Sequence, residues 1–417
     1  MGKAESVSLS SSKLALMDEV MAGRYVESGK LPGFHIAVMR DDEIAHSSVV
    51  GSMDLERNKP LQEDSIYRIY SMTKPITAVA LMMLVEEGKL GLDDDVHLHI
   101  PSWKDLRVYV SGLPSLSPDA PPTFLGARPE RPMKVVDLVT HTSGLTYGFM
   151  SRTSVDAAYR ECNLGDHQTP GGLDEFIEQL SQLPLDFSPG ENWNYSVSID
   201  VMGYLVQKLS GQSFGEFLRT RIFEPLGMTD TAFYVPSEKI DRFTSCYFPS
   251  PDGGLGLQDD AGDSSYALPP KLESGGGGLV STTADYLRFC QMMLNRGSLD
   301  GARILSPKTV AMFSQNLLPK KQSMVDMLPS SMGVFTAAGN GGVGFSIGCG
   351  VIMDAASAHV PCSPSEYFWG GAASTIFWID PKENMSLVFM TQVMGFEGDL
   401  RRDLRTLAYS AFNESYI

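Results

Sequence analysis

Ser71-Met72-Thr73-Lys74 sets a hydroxyl and an amine three positions apart at the head of TKPITAVALMMLVEEG, a nearly unbroken apolar run that stops at Gly88. A helix that is apolar all round belongs in a core. Three positions make about one helical turn, so the Lys74 amine can reach the Ser71 oxygen. The positive end of the helix dipole also favours an alkoxide developing there. Pro75 falls in the first turn, where a missing N–H costs least. A serine activated this way does nucleophilic chemistry at an acyl carbon. The plainer alternative is Ser71 as a helix cap and Lys74 as a solvated first-turn residue, but a lysine there opposes the dipole. A second Ser-x-x-Lys match, Ser10 to Lys13, lies in a polar stretch and is set aside.

Two further segments supply what such a serine needs. Tyr195-Ser196-Val197-Ser198 follows the Pro189-Gly190 turn and precedes a helix opening at Ile199, a junction suited to projecting a phenol into a cleft. Taken alone, a buried amphipathic tyrosine is the commoner use of such a residue. Trp369-Gly370-Gly371-Ala372-Ala373 ends one predicted strand and precedes another. Its paired glycines permit close approach of a ligand to the backbone, or a bulge, or a plain hairpin turn. In the first case the Ala372 N–H would form an oxyanion hole with that of Ser71. A nucleophile elbow of the α/β-hydrolase kind is not expected. The glycine run at Ser274 to Gly278 lacks the Gly-Lys-Ser/Thr of a phosphate loop, and Asp93-Asp94-Asp95 lacks calcium-loop spacing. No metal and no cofactor are expected.

These side chains need elements to hold them. Lys13 to Ser28 has helical periodicity with a stop at Gly29; Gly33 to Arg40 and Glu43 to Gly51 read as strands about an Asp41-Asp42 turn. Val343 to Met353, Tyr367 to Gly371, Thr375 to Ile379 and Ser386 to Met394 read as strands, with a last helix from about Gly398 to Phe412. Two strands alone are marginal, so the two chain ends are expected to share one antiparallel sheet flanked by the terminal helices. Between them come helical patterns such as Leu173 to Leu183 and Val201 to Ser210. Long loops at Ser111 to Pro132 and Pro249 to Pro270 interrupt these patterns. The reading is therefore an α/β (α+β) domain from residues 1–89 and 272–417, interrupted by a mostly helical insertion at 90–271, with a site in the cleft between them.

With 33 Lys plus Arg against 50 Asp plus Glu, the chain carries a net charge of −17, which argues against nucleic acid as a partner. No stretch approaches the length of a membrane span, and the five scattered cysteines show neither a disulfide framework nor a metal-ligand spacing. A reduced, cytoplasmic protein is the expectation.

Ser-x-x-Lys, the loop tyrosine and the carboxy-terminal Trp-Gly-Gly together resemble the class C β-lactamase and penicillin-binding superfamily, and most closely its family VIII carboxylesterases. GKLGLDDDV, LVTHTSGLTYG, FEPLGMTDTAF and GGGGLVSTTADYLRF fit the same framework, so the likeness runs from about Gly33 to Met394. It implies a β-lactamase/transpeptidase-like fold, with Ser71, Lys74 and Tyr195 catalytic and Ser71 and Ala372 as the oxyanion donors. It implies substrate contacts from Trp369, Gly370, Gly371, Ser196 and Val197, and a structural role for His141. The departures matter. Class C lactamases carry Tyr-x-Asn and Lys-Thr-Gly where this chain has Tyr195-Ser196-Val197 and Trp369-Gly370-Gly371, and the latter pair suits a neutral ester. The expected activity is hydrolysis of small, short-chain carboxylic esters, with slow β-lactam opening at most. The rival readings are a β-lactamase or D-Ala peptidase, an acyltransferase, and a non-catalytic binding protein on the same scaffold.

Overall fold

Asp41 and Asp42 both take positive φ, 51° and 64°, and turn β1 (Gly33–Arg40) back into β2 (Glu43–Asp54). Asp tolerates this left-handed backbone better than most residues, which is why it serves tight hairpins. β1 is buried along its whole length, so its second edge must also be covered. The last strand of the chain does this: His35 to Arg40 pair antiparallel with Met390 to Met385. The computed structural model describes residues 3–113, 123–165, 169, 171–328, 341–396 and 398–417.

The other strands of this sheet are β3 (Lys59–Pro60), β4 (Val343–Phe345), β5 (Gly350–Ile352), β6 (Tyr367–Gly370), β7 (Ile376–Asp380) and β8 (Met385–Met390). They form one eight-stranded antiparallel sheet in the order β4-β5-β6-β7-β8-β1-β2-β3. Neighbouring residues of a strand face opposite sides, and β7 shows what covers each. Phe377 meets Tyr286 of α4 (Thr283–Leu294), and Trp378 stacks on Tyr409 of α5 (Leu400–Tyr409). Helix α1 (Ser11–Met21) packs beside α5. The sheet joins both chain ends as expected, but the terminal helices α1 and α5 share one face and α4, well before the carboxy terminus, covers the other.

α2 (Thr73–Glu86) is the apolar helix of the Ser-x-x-Lys motif, and it packs on α3 (Ser198–Ser210), which follows Tyr195. Its end is set by Gly88 at φ 69°, with Lys89 N–H returning to the Leu84 carbonyl. Three expectations need correction. Val343 to Met353 is two strands, because Gly348 at φ 68° turns the chain between them. The Ser111–Pro132 stretch is no plain loop, since Val108–Leu113 pairs with Thr123–Ala127; residues 114–122 lie outside the described ones. Pro249–Pro270 likewise holds a strand, Leu255–Asp259, paired back to Cys246–Pro249 through Gly253 and Gly254, both at positive φ. Among the described residues no helix is long and apolar enough to cross a membrane.

Candidate active site

Ser71 lies in a single 3-10 turn, Tyr70–Met72, that feeds directly into α2. Tyr70 just before it holds φ at 41°, a costly conformation for a bulky side chain and one often found next to reacting groups. Three partners define the site. The Tyr195 hydroxyl lies 2.6 Å from Ser71 Oγ, and Lys74 Nζ lies 3.1 Å from the same oxygen. Lys74 Nζ also donates to the Tyr147 hydroxyl at 3.2 Å and to the Gly276 carbonyl at 2.6 Å. An ammonium has three N–H donors, and here each has an acceptor.

The two tyrosines beside Lys74 are not equivalent. Tyr147 is held well above the ordinary phenol range by burial, reinforced by the negative charge of Asp200, to which it donates at 3.4 Å. Burial also raises the pKa of Asp200, against the pull of Ser274 and of the Lys74 charge. Tyr195 has a different setting. Its oxygen meets the indole N–H of Trp369 at 3.3 Å, and Lys74 Nζ stands 4.4 Å from its ring centroid. An indole N–H is thus given to the Tyr195 oxygen and a cation stands over its ring, whereas a carboxylate faces Tyr147.

The glycine run at 274–278 forms the floor. Asp200 accepts from Gly276 N–H at 3.0 Å and from Ser274 at 2.5 Å, and Thr77 of α2 donates to the Gly275 carbonyl. A Cβ on Gly276 would stand 2.5 Å from Asp200 Oδ2 and 2.6 Å from the Tyr147 oxygen. Tyr147, Asp200 and Gly276 were missed by sequence reasoning. A lone Asp in the first turn of the otherwise apolar SIDVMGYLV was the available signal.

β6 closes the other side. A Cβ on Gly371 would stand 2.5 Å from the Ile69 carbonyl, two residues before Ser71, so this glycine lets the strand lie against the backbone of the nucleophile turn. Gly371 N–H is spent on Thr375 O. The N–H groups of Ser71 and Ala372 have no acceptor among the described residues, as an oxyanion pair requires.

Ser196 and Val197, expected at the substrate, lie inside the protein next to Tyr195. Both are fully buried; Ser196 Oγ is engaged by His141 Nδ1 at 3.1 Å and by Ser198, and Val197 packs toward Gly165. They hold the Tyr195 loop instead. His141 is buried against Tyr195, Trp193 and Phe345, and burial together with the Lys74 charge keeps its pKa well below the ordinary imidazole value. It supports the tyrosine as a neutral ring. The decoy Ser10 is a cap, its oxygen accepting from Lys13 N–H. Two Gly-x-Ser-x-Gly strings do occur, against the expectation that an elbow is absent, but neither is one. Ser213 caps the helix Phe214–Leu218, and buried Ser346 sits in the β4–β5 turn donating to Met312 O.

A family model described as Beta-lactamase matches residues 16–411. Protein Rv1367c of Mycobacterium tuberculosis is 32% identical over 369 residues, covering 88% of this chain and 87% of that one. Esterase EstB of Burkholderia gladioli is 28% identical over 97% of both chains. Among solved structures, EstCE1, described as a hydrolase with promiscuous acyltransferase activity, superposes with a TM-score of 0.77. It is 25% identical, and the match covers 95% of this chain and 99% of that one.

Proposed function

The chain belongs to the beta-lactamase family, and on that premise we propose that it is a family VIII carboxylesterase that cleaves short-chain carboxylic esters through an acyl-enzyme on Ser71. The observation that carries this reading is the convergence of Tyr195 and Lys74 on one serine oxygen, at 2.6 and 3.1 Å. With Tyr195 acting as phenolate beside the Lys74 ammonium, Ser71 Oγ attacks the ester carbonyl and its proton passes to the Tyr195 oxygen. The Lys74 ammonium over its ring and the Trp369 N–H at its oxygen are the partners of Tyr195, whereas the Asp200 carboxylate faces Tyr147. The Ser71 and Ala372 N–H groups hold the carbonyl oxygen as it becomes anionic. Tyr195 then returns the proton to the departing alkoxide, which leaves as alcohol. Water repeats the sequence on the acyl-enzyme and frees the acid. EstCE1's description pairs hydrolysis with acyl transfer, and an alcohol that replaces water in the second half-reaction would give that outcome here.

Ser71→Ala deletes one hydroxyl and leaves the fold intact. The variant is expected to lose hydrolysis of p-nitrophenyl acetate and butyrate, together with covalent labelling by a fluorophosphonate. Substantial residual turnover in a folded Ser71→Ala protein would move the nucleophile elsewhere.

A further inference from the structure

A cavity of about 700 Å³ opens beside the free end of β6. It shares Trp369, Gly371 and Ala372 with the site above, and Leu400, Arg401 and Arg405 of α5 line it from the other side. β5 pairs with β6 only at Tyr367 and Phe368, so Trp369 and Gly370 leave the last part of β6 unpaired on that side. Successive residues of a strand point to opposite faces. Trp369 turns towards Tyr195, whereas Gly370 turns towards Arg401, whose Nη2 stands 2.6 Å from where a Gly370 Cβ would be. Only glycine at 370 lets that guanidinium come up to the strand edge.

The charges around the cavity single out one residue. Arg402 is paired with Asp399 at 2.6 Å, and Arg405 is held by Glu366. Arg401 has no carboxylate partner among the described residues, although it lines the same cavity. Arg401 is an exposed residue at the rim of this cavity. The protein packed around its side chain and the like charge of Arg405 lower its pKa, and the Tyr195 phenol acts the other way.

We infer that this cavity receives a carboxylate carried by the substrate ester away from the scissile bond, with Arg401 as its partner. The inference rests on the esterase reading and names its substrate class: half-esters and other anionic esters. Guanidinium and carboxylate match as a two-pronged hydrogen-bonded pair.

The test compares kcat/KM for mono(4-nitrophenyl) glutarate, with its charge on the acyl side, and for 4-butyryloxybenzoate, with its charge on the alcohol side. Each is taken as a ratio to neutral 4-nitrophenyl pentanoate. Arg401→Gln is expected to lower one of these ratios by about tenfold to a hundredfold, the loss of a charge-assisted contact, and Arg401→Lys to restore part of it. The arm that falls tells which side of the ester carries the anion. Ratios within twofold of wild type in both arms overturn the subsite. Binding without turnover separates this from the esterase reading. Glutarate should raise the melting temperature of Ser71→Ala and not that of Ser71→Ala/Arg401→Gln, and equal shifts in the two would refute the role of Arg401. Failure of wild type to cleave even the neutral ester would instead count against the esterase reading, leaving the glutarate comparison to judge the subsite.

Discussion

One lysine between two tyrosines raises a question of roles that distances alone leave open, and their surroundings answer it. Tyr147 faces a carboxylate, and Tyr195 faces Ser71, a cation and an indole N–H. Tyr195→Phe should therefore cost about a hundredfold to ten-thousandfold in kcat/KM, the usual span of a positioned acid–base group. Tyr147→Phe only weakens the seating of Lys74 and should cost at least tenfold less. Lys74→Ala should be as damaging as Tyr195→Phe, and the double variant little worse than either, because the pair acts as one unit. Steady-state rates on p-nitrophenyl butyrate for the four proteins decide this; additive losses would give the two groups separate tasks. Ser71 and Lys74 could be picked out in the sequence because a helical turn relates them, while Tyr195, which alone reads as a buried amphipathic tyrosine, took its role from the family resemblance of the motifs together. Tyr147 and Gly276 could not, since each meets Lys74 across a long stretch of chain that no local pattern spans.

At the scale of elements, patterns fixed by local physics were readable and those fixed by tertiary contact were not. β1 runs from Gly33 to Arg40 as its apolar run implies, and the Asp-Asp turn follows. The hairpins at 108–127 and 246–259 carry exposed residues such as Val110, Leu125 and Phe248, so no buried face imprints an alternation on them. The glycine run at 274–278 read only as an absent phosphate loop. Its meaning comes from what crowds it, and that supports a prediction. Gly276→Ala drives a methyl group into Asp200 and the Tyr147 oxygen, both buried and hydrogen-bonded. Overpacking of this kind costs about 1–3 kcal/mol, so thermal unfolding should show a lowered Tm. Displacement of the carbonyl that seats Lys74 should also cut kcat/KM at least about tenfold. Gly23→Ala is the control, since only the flexible Glu27 carboxylate lies near, at 3.7 Å, and its φ is not positive; that change is expected to be neutral or slightly stabilising. Equal effects of the two substitutions would show that the glycine run has no special role.

For the whole molecule, the sheet supplies β6 and the segment between its two halves supplies Tyr147, Tyr195 and Asp200, so what the cleft selects depends on both. The β-lactamase scaffold is shared with enzymes that open lactams, and the differences lie in two side chains. Val197 is buried and presents no amide to the acyl-side amide of a lactam. Trp369 stands where those enzymes carry a lysine, and its one donor is given to Tyr195. Arg401 does not replace that lysine, because it reaches the strand from the face of Gly370, opposite to Trp369. A rigid bicyclic lactam, with its carboxylate fixed beside the scissile bond, therefore lacks both partners. A neutral contact is worth about 1 kcal/mol and a charge-assisted one about 1.5–3, which together make a handicap of roughly a hundredfold to a thousandfold. The leaving group adds to it, since an amine must be protonated as it departs and an alkoxide leaves more readily. Ring strain and the shared serine still allow slow opening of nitrocefin. On one preparation, kcat/KM for p-nitrophenyl butyrate should exceed that for nitrocefin by at least about a hundredfold. A nitrocefin value equal to or above the ester value would reverse the assignment and make this chain a lactamase that tolerates esters.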